Sequence, residues 1–239
     1  GGDFYDAFSL AGGKVAVLIG DVAGHGIKAA RVALLVKDVV HAFLHRSSDP
    51  AEVLTETNAL LLEKSFSGFV SLFLGVLDVP SGEFDYATAG HPYGLVKKPS
   101  GQIYRFMTGS TPLAVHDDAT WETGRLELQT GDVLFFYTDG LVEIRRDGEF
   151  LGEAGLAELL RRTDEPVQKL PQAIVEGVLE FSGGALRDDV AILTLSFGGP
   201  ALAADGSSEA LDAVAAPATG RDDAVAAGVG RARTAGSAT

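Results

Sequence analysis

The chain has 239 residues, of which 46% are hydrophobic and 22% are charged, as in an ordinary globular protein. It has 33 acidic residues against 19 lysines and arginines, a formal net charge of −14, and no cysteine. The absence of cysteine excludes disulfides and cysteine-ligated zinc. The sequence also has no basic run that would bind nucleic acid or an anionic membrane surface. No apolar run reaches the roughly 18 residues of a membrane span. Residues 1–20 do not have the pattern of a signal peptide, so we expect a cytoplasmic protein.

Hydrophobic periodicity predicts a strand followed by two helices in the first quarter of the chain. The β-branched run at residues 14–20 is typical of a buried strand, and it ends in the glycine-rich turn 20–26. From Ile27, apolar residues recur every three or four positions, which indicates an amphipathic helix. Asp49 followed by Pro50 predicts the start of a second helix, which continues to about Phe66.

The rest of the chain predicts a run of strands, two more helices and a last strand. The predicted strands are residues 69–79, 83–89, 93–97, 102–106, 123–128, 133–138 and 190–197, and the predicted helices are residues 152–162 and 166–181. Helix pairs that are segregated from strands favour the α+β class over alternating α/β. A helix pair on each outer face of two packed antiparallel sheets would cover every apolar face.

Composition divides the chain near residue 197. Residues 198–239 are rich in alanine, glycine, serine and aspartate and contain no aromatic residue, so we expect a disordered tail or linker. Residues 1–197 form the expected folded domain. Because this domain starts in the middle of a pattern, at Gly1, we expect it to be a piece of a longer signalling protein that lacks its N-terminal part.

Aspartates lie where predicted buried strands begin or end. Asp21 and Asp139 follow such strands, Asp188 precedes one, and Asp3 lies beside two glycines. Each could be an ordinary turn or capping residue. If all four converge, their repulsion requires cations, and all-oxygen ligands without histidine or cysteine suit Mg²⁺ or Mn²⁺. Four carboxylates balance two divalent ions, a pair that could activate a water for hydrolysis of a phosphoester.

Five segments carry a resemblance to a known family. They are Gly1-Gly2-Asp3-Phe4-Tyr5-Asp6, Gly20-Asp21-Val22-Ala23-Gly24-His25-Gly26, Ala89-Gly90-His91-Pro92, Thr138-Asp139-Gly140-Leu141-Val142-Glu143 and Arg187-Asp188-Asp189. With these segments in this order, the chain resembles metal-dependent protein phosphatases of the bacterial SpoIIE/RsbU type, which are related to protein phosphatase 2C. The resemblance covers about residues 1–197 and implies a four-layer αββα sandwich, in agreement with the layers inferred above.

The resemblance implies a role for each acidic position. It implies that Asp21 bridges two Mg²⁺ or Mn²⁺ ions, and that Asp3 and the main-chain carbonyl of Val22 bind the second ion. It implies that Asp139 and Asp188 bind the first ion. Asp21, Asp139 and Asp188 are accordingly the expected catalytic residues.

The resemblance also implies a substrate. The family removes phosphate from phosphoserine or phosphothreonine in proteins, and in this subgroup the usual substrate is an anti-anti-sigma factor, a small STAS-domain protein. An upstream sensor domain is the other expected partner. Two alternatives stay open: a pseudophosphatase that binds a phosphoprotein without turnover, and a metallohydrolase of small phosphoesters. A deep closed pocket at the metal site would favour the second of these.

The sequence departs from the wider family in the groups that surround the metals. Eukaryotic relatives carry a proposed general-acid histidine two residues after the bridging aspartate, where this chain has Ala23, and their upstream phosphate-binding arginine has no counterpart here. Asp189 stands where relatives often have asparagine, so we expect it outside the ligand set.

The remaining polar candidates have simpler interpretations. His25 could contact substrate or a metal-bound water, although a loop hydrogen bond is the simpler role. His91 is expected to be a turn residue. His41 and His45 lie one helical turn apart without a third ligand nearby, so we expect solvated side chains, and Glu143 is expected to orient its loop.

Overall fold

The structure, a computed structural model, describes residues 2–64, 66, 68–109, 111–146, 148–184, 189–199, 211–218 and 228–230. The strands are β1 (Phe4–Leu10), β2 (Lys14–Val22), β3 (Val70–Asp78), β4 (Glu83–Ala89), β5 (Gly94–Lys97), β6 (Ile103–Phe106), β7 (Gly124–Glu127), β8 (Val133–Tyr137), β9 (Arg145–Arg146), β10 (Glu149–Phe150), β11 (Val190–Phe197), β12 (Leu211–Ala218) and β13 (Gly228–Gly230). The helices are α1 (Ile27–Leu44), α2 (Pro50–Glu63), α3 (Gly152–Arg162) and α4 (Leu170–Ser182). None of these helices is long and apolar enough to cross a membrane.

Most strands assemble into two antiparallel sheets. The first sheet has the order β1-β2-β3-β4-β7, and the second has the order β13-β12-β11-β8-β5-β6. The short β9 and β10 form a separate hairpin. The chain passes from the first sheet to the second directly after β4. Most of the residues discussed below lie at the ends of β2, β4 and β8 or directly after them.

Three apolar layers hold the sheets and helices together. One layer packs α1 and α2 on the outer face of the first sheet, with Val36 and Leu54 at its centre. A second layer lies between the sheets and includes Phe73 and Phe136, whose ring centroids are 4.7 Å apart. The third packs α3 and α4 on the outer face of the second sheet. The predicted α+β class and four-layer αββα sandwich are therefore confirmed.

Local signals in the sequence account for most element boundaries. The Asp49 carboxylate accepts a hydrogen bond from the amide of Ala51 at 3.0 Å and caps α2, as expected from the Asp-Pro pair. Helix α1 begins after Gly26, whose φ of 77° is a left-handed conformation that favours glycine. Helix α4 begins at Leu170 and not at Pro166, because residues 166–169 form a turn in which the amide of Leu170 bonds to the carbonyl of Pro166.

β1 is absent from the sequence prediction, because this edge strand is partly exposed along most of its length and lacks a clear alternation of apolar and polar residues. In the region 198–239, the structure describes β12, which pairs with β11 along eight residues, and β13, which pairs with β12. The reason is that β11 offers an open edge, to which a further strand can add main-chain hydrogen bonds. Most other residues of that region lie outside the described part of the chain.

Candidate metal centre

The hairpin of β1 and β2 brings the first two predicted ligands together. Phe4 lies opposite Gly20 in this pair, so the same register carried one residue further sets Asp3 opposite Asp21. The main chain continues the ladder at this end, since the amide of Val22 donates to the carbonyl of Gly2 at 3.2 Å. The carboxyl groups of Asp3 and Asp21 are in hydrogen-bonding contact.

The strand period explains why these carboxyl groups face the second sheet. On β2, Val17 and Ile19 point into the apolar layer between the sheets, whereas Leu18 points towards the helices. Because side chains alternate along a strand, Asp21 is on the same face as Ile19, at the end of the layer between the sheets. Tyr5 packs against that layer and so places Asp3 on the same face of β1.

Thr138 joins the first sheet to the second at this site. Its side chain is fully buried directly after β8, where its hydroxyl donates to Oδ2 of Asp3 at 2.8 Å. The same hydroxyl accepts a hydrogen bond from the amide of Ala191 at 2.9 Å. Asp3 is therefore held by a residue of the opposite sheet. This role of Thr138 is not predictable from the local sequence, in which the one available signal is its position directly before Asp139.

The electrostatics of Asp3 are those of a carboxylate among other carboxylates. The pKa of Asp3 is raised from 3.8 to about 7, mainly by burial and also by the negative charges of Asp21 and Asp139, while the hydrogen bond from Thr138 opposes the shift. A group with this pKa gains from a nearby cation, because a cation offsets both the desolvation and the repulsion.

Gly2 packs closely against the carboxylate of Asp21 and the carbonyl of Val22. A Cβ atom added to Gly2 would overlap the Val22 carbonyl oxygen and would lie 2.6 Å from Oδ1 of Asp21. Real side chains do not tolerate such contacts. The glycine before Asp3 is therefore required by the space around these two oxygen atoms, which the motif alone did not explain.

Asp139 and Asp188 are the other predicted side-chain ligands, and the structure describes only the first of them. Asp139 is exposed and opens a short 3-10 turn, Asp139–Leu141, directly after Thr138. Its charge acts on Asp3, so it faces the same site. Asp188 lies outside the described residues. Asp189 is described, is partly exposed and directly precedes β11.

The polar loop residues are placed as follows. Gly24 has φ of 112°, which agrees with the expectation that the glycine loop needs left-handed backbone. His25 is exposed in this loop, and Glu143 is exposed in the turn after β8. The exposed His41 on α1 and His45 directly after it have ring centroids 5.2 Å apart, and His41 lies against Phe8.

His91 differs from the other polar loop residues in its burial. It is a fully enclosed side chain with 4% exposure, and its Nδ1 is 2.9 Å from the hydroxyl oxygen of Ser71 on β3. Burial lowers its pKa to about 3, so the ring is neutral at physiological pH. His91 lies in the loop after β4, and the tetrapeptide alone does not reveal its burial.

The residues present fit a hard divalent cation by their chemistry. Asp3 interacts with both Asp21 and Asp139, and the carbonyl of Val22 and the carboxylate of Asp21 both border Gly2, so the donors are all oxygen. Among the described residues, no group of three or more histidine, aspartate or glutamate side chains is arranged tightly enough to hold an ion unaided. A complete ligand set therefore requires main-chain oxygen, water or Asp188.

Comparison with known proteins identifies the family. Residues 11–198, more than three quarters of the chain, match the family model described as Stage II sporulation protein E (SpoIIE). The chain belongs to the SpoIIE family. This family is a bacterial branch of the protein phosphatase 2C-like phosphatases, so the resemblance stated from the motifs is confirmed.

Curated relatives of this SpoIIE-family chain are distant in sequence. It is 24% identical over 197 residues to the phosphoserine phosphatase RsbU of Bacillus subtilis, covering 81% of this chain and 58% of RsbU. It is also 24% identical over 224 residues to protein IcfG of Synechocystis, covering 81% of this chain and 35% of IcfG. The chain thus spans between about a third and three fifths of the length of these relatives.

Solved structures confirm the fold of the SpoIIE-family domain. The RsbU and RsbW domains of Rv1364c from Mycobacterium tuberculosis superpose with a TM-score of 0.70 at 28% identity, over 81% of this chain and 54% of that one. The SiaA-PP2C domain of Pseudomonas aeruginosa gives a TM-score of 0.73 at 23% identity, over 82% and 81% of the two chains.

Proposed function

We propose that this domain is a Mg²⁺- or Mn²⁺-dependent serine/threonine protein phosphatase that uses two ions. The observation that carries the proposal is the convergence of Asp3, Asp21 and Asp139 from both sheets of a SpoIIE-family fold. Repelling carboxylates of this kind destabilise a protein unless they bind cations. A binding module without turnover has no physical reason to keep them together, which disfavours the pseudophosphatase alternative.

The proposed ligands follow from the motif and from the contacts described. Asp21 would bridge the two ions, Asp3 and the carbonyl of Val22 would bind the second, and Asp139 and Asp188 would bind the first. When bound, the ions supply Lewis-acid chemistry that activates a water and neutralises phosphoryl oxygens. Hydrolysis would proceed without a covalent enzyme intermediate.

The protein's own residues orient this site. Thr138 holds one oxygen of Asp3, which leaves the other oxygen for a cation. Gly2 lets the main chain pack against Asp21 and the Val22 carbonyl without displacing their oxygen atoms. The exposed His25 lies in the loop that follows Val22. Helix α1 begins at the end of this loop, and a helix N-terminus favours anions such as a phosphate group.

The substrate we propose is a phosphorylated signalling protein, with an anti-anti-sigma factor of the STAS type as the first candidate. The relative RsbU is named a phosphoserine phosphatase, which supports a phosphoprotein substrate for this domain. A described cavity of about 580 Å³ is lined by Tyr86, Arg105 and Glu153 among others, but by none of the proposed ligands. It therefore gives no support to a closed pocket for small phosphoesters at the metal site.

The test is phosphate release from a phosphoserine STAS-domain protein and from p-nitrophenyl phosphate. We expect release from both with Mn²⁺ or Mg²⁺, no release with EDTA, and a faster reaction with the protein substrate. Asp21→Asn is expected to be inactive under all conditions. Release that is unaffected by EDTA would contradict the metal-dependent mechanism, and release from the small ester alone would contradict the proposed substrate class.

A further inference from the structure

The two sheets carry different parts of the proposed metal site, so their separation at this end must be fixed. Asp3 and Asp21 belong to the first sheet, whereas Asp139 follows a strand of the second. The hydrogen bond between Thr138 and Asp3 is one direct polar link between the sheets here. This hydrogen bond involves Asp3, a proposed metal ligand, so it depends on whether Asp3 is protonated or bound to a cation.

His91 lies at a second point of contact between the same two sheets. It follows β4 of the first sheet, in the piece of chain that crosses to β5 of the second. Its Nδ1 is 2.9 Å from the Ser71 hydroxyl oxygen on the first sheet. Its Nε2 is buried and has no hydrogen-bond partner among the described residues, and the main chain of Tyr137, the last residue of β8, lies beside the ring.

Ser71 connects this histidine to the proposed bridging ligand. Ser71 lies directly opposite Asp21 in the antiparallel pair of β2 and β3. Directly opposite side chains in such a pair share a face of the sheet, with Cβ atoms about 5 Å apart. Phe73, two residues further along β3, packs between the sheets and confirms that Ser71 faces the second sheet, as Asp21 does.

We propose that His91 is a positioning residue that fixes the distance between Asp21 and the end of β8 through its contacts with Ser71 and Tyr137. The inference rests on the proposed function, because that distance matters only if both sheets hold the same ions. The rigid neutral imidazole suits this position, since a flexible side chain would not hold two sheets at one spacing. A protonated ring would place an unpaired charge in a buried site.

The test compares four variants by direct Mn²⁺ binding, which is followed by the electron paramagnetic resonance signal of the free ion. His91→Leu keeps the bulk of the side chain but removes both nitrogens, and Ser71→Ala removes only the partner hydroxyl. Thr194→Val is the matched control, because it removes a buried hydroxyl on β11 that bonds to the carbonyl of Val167. Each variant is also melted in EDTA to measure its stability without metal.

We expect His91→Leu to weaken Mn²⁺ binding about 10-fold or more, as is typical when residues that support metal ligands are removed. Ser71→Ala should weaken Mn²⁺ binding less. His91→Gln should restore part of the loss, because its amide can meet the same two partners. Thr194→Val should lower the melting temperature without changing Mn²⁺ binding. Wild-type binding by His91→Leu, or an equal loss in Thr194→Val, would overturn the inference. If the wild-type protein itself bound no Mn²⁺, the proposed function would fail instead.

Discussion

Gly2 is the residue with the least freedom at the proposed metal centre. We expect Gly2→Ala to raise the Mn²⁺ concentration for half-maximal activity about 10- to 100-fold, because the new methyl group displaces Asp21 and the Val22 carbonyl. The measurement is a Mn²⁺ titration of phosphate release. Gly101→Ala, in the turn between β5 and β6, is the control: nothing lies within 4 Å of the added atom, and the cost is limited to its φ of 83°. Equal titration curves for Gly2→Ala and wild type would contradict this prediction.

Asp3 should make the stability of the metal-free protein depend on pH. Its pKa is 3.8 in the unfolded chain and about 7 in the folded protein, so between these values the folded state holds a proton that the unfolded state has released. Stability therefore falls as pH rises through this window. Asp3→Asn keeps the acceptor for Thr138 but does not titrate, so in EDTA it should become more stable than wild type by about 2 kcal/mol at pH 8, after allowance for partial exposure.

The check is urea unfolding of both proteins from pH 5 to pH 8 in EDTA. The lowered pKa of His91 affects both proteins equally and cancels in the difference. The exposed Asp117→Asn serves as a control for loss of a negative charge. A stability difference that does not change with pH would show that Asp3 titrates normally.

At the scale of elements, the entrance of β11 carries two adjacent aspartates that the sequence assigns to different roles. Successive side chains at a strand point to opposite faces, so Asp188 and Asp189 can rarely both reach one ion. We expect Asp188→Asn to abolish most phosphate release, with partial recovery at high Mn²⁺, and Asp189→Asn to retain much more. Phosphate release by both variants across a Mn²⁺ titration checks this. The reverse ranking would mean that the motif is shifted by one residue.

Elements with strong periodicity were predictable, and those defined by their neighbours were not. The boundaries of β4, α3 and β11 agree with the sequence prediction, because apolar alternation, glycine and turn residues mark their ends. β1 is an edge strand with a mixed pattern, and it becomes recognisable only beside β2. β12 exists through pairing with β11, which composition does not reveal.

The site shows the same division. Asp21 and Asp139 could be named from their positions after buried strands, and Asp3 from the two glycines before it. The close approach of Gly2, the hydroxyl of Thr138 and the buried ring of His91 depend on distances between residues far apart in the chain. Such contacts leave no mark in the local sequence, so the supporting residues were missed or given simpler roles.

At the scale of the whole molecule, metal binding should appear as added stability. The ions bind only the folded protein, so Mn²⁺ at 100 times its dissociation constant stabilises it by about 2.7 kcal/mol. For a domain of this size, we expect a rise of roughly 5–10 °C in melting temperature. Asp21→Asn should show a much smaller rise, as followed by differential scanning fluorimetry with and without Mn²⁺. An equal shift in both proteins would place the ions elsewhere on this acidic chain.

The hydrogen bond between Thr138 and Asp3 also orders events during folding. It joins residues 135 positions apart, whereas β1 and β2 meet through a three-residue turn. Long-range closure is slow because a large loop must be ordered before its contacts form. The hairpin can therefore form early with Asp3 and Asp21 already side by side. Thr138 and Asp139 reach them only when β8 docks. Metal would then bind after the rate-limiting step of folding. It would lower the unfolding rate and leave the folding rate unchanged. During synthesis on the ribosome, Asp3 and Asp21 would be made and paired long before Thr138 and Asp139 emerge.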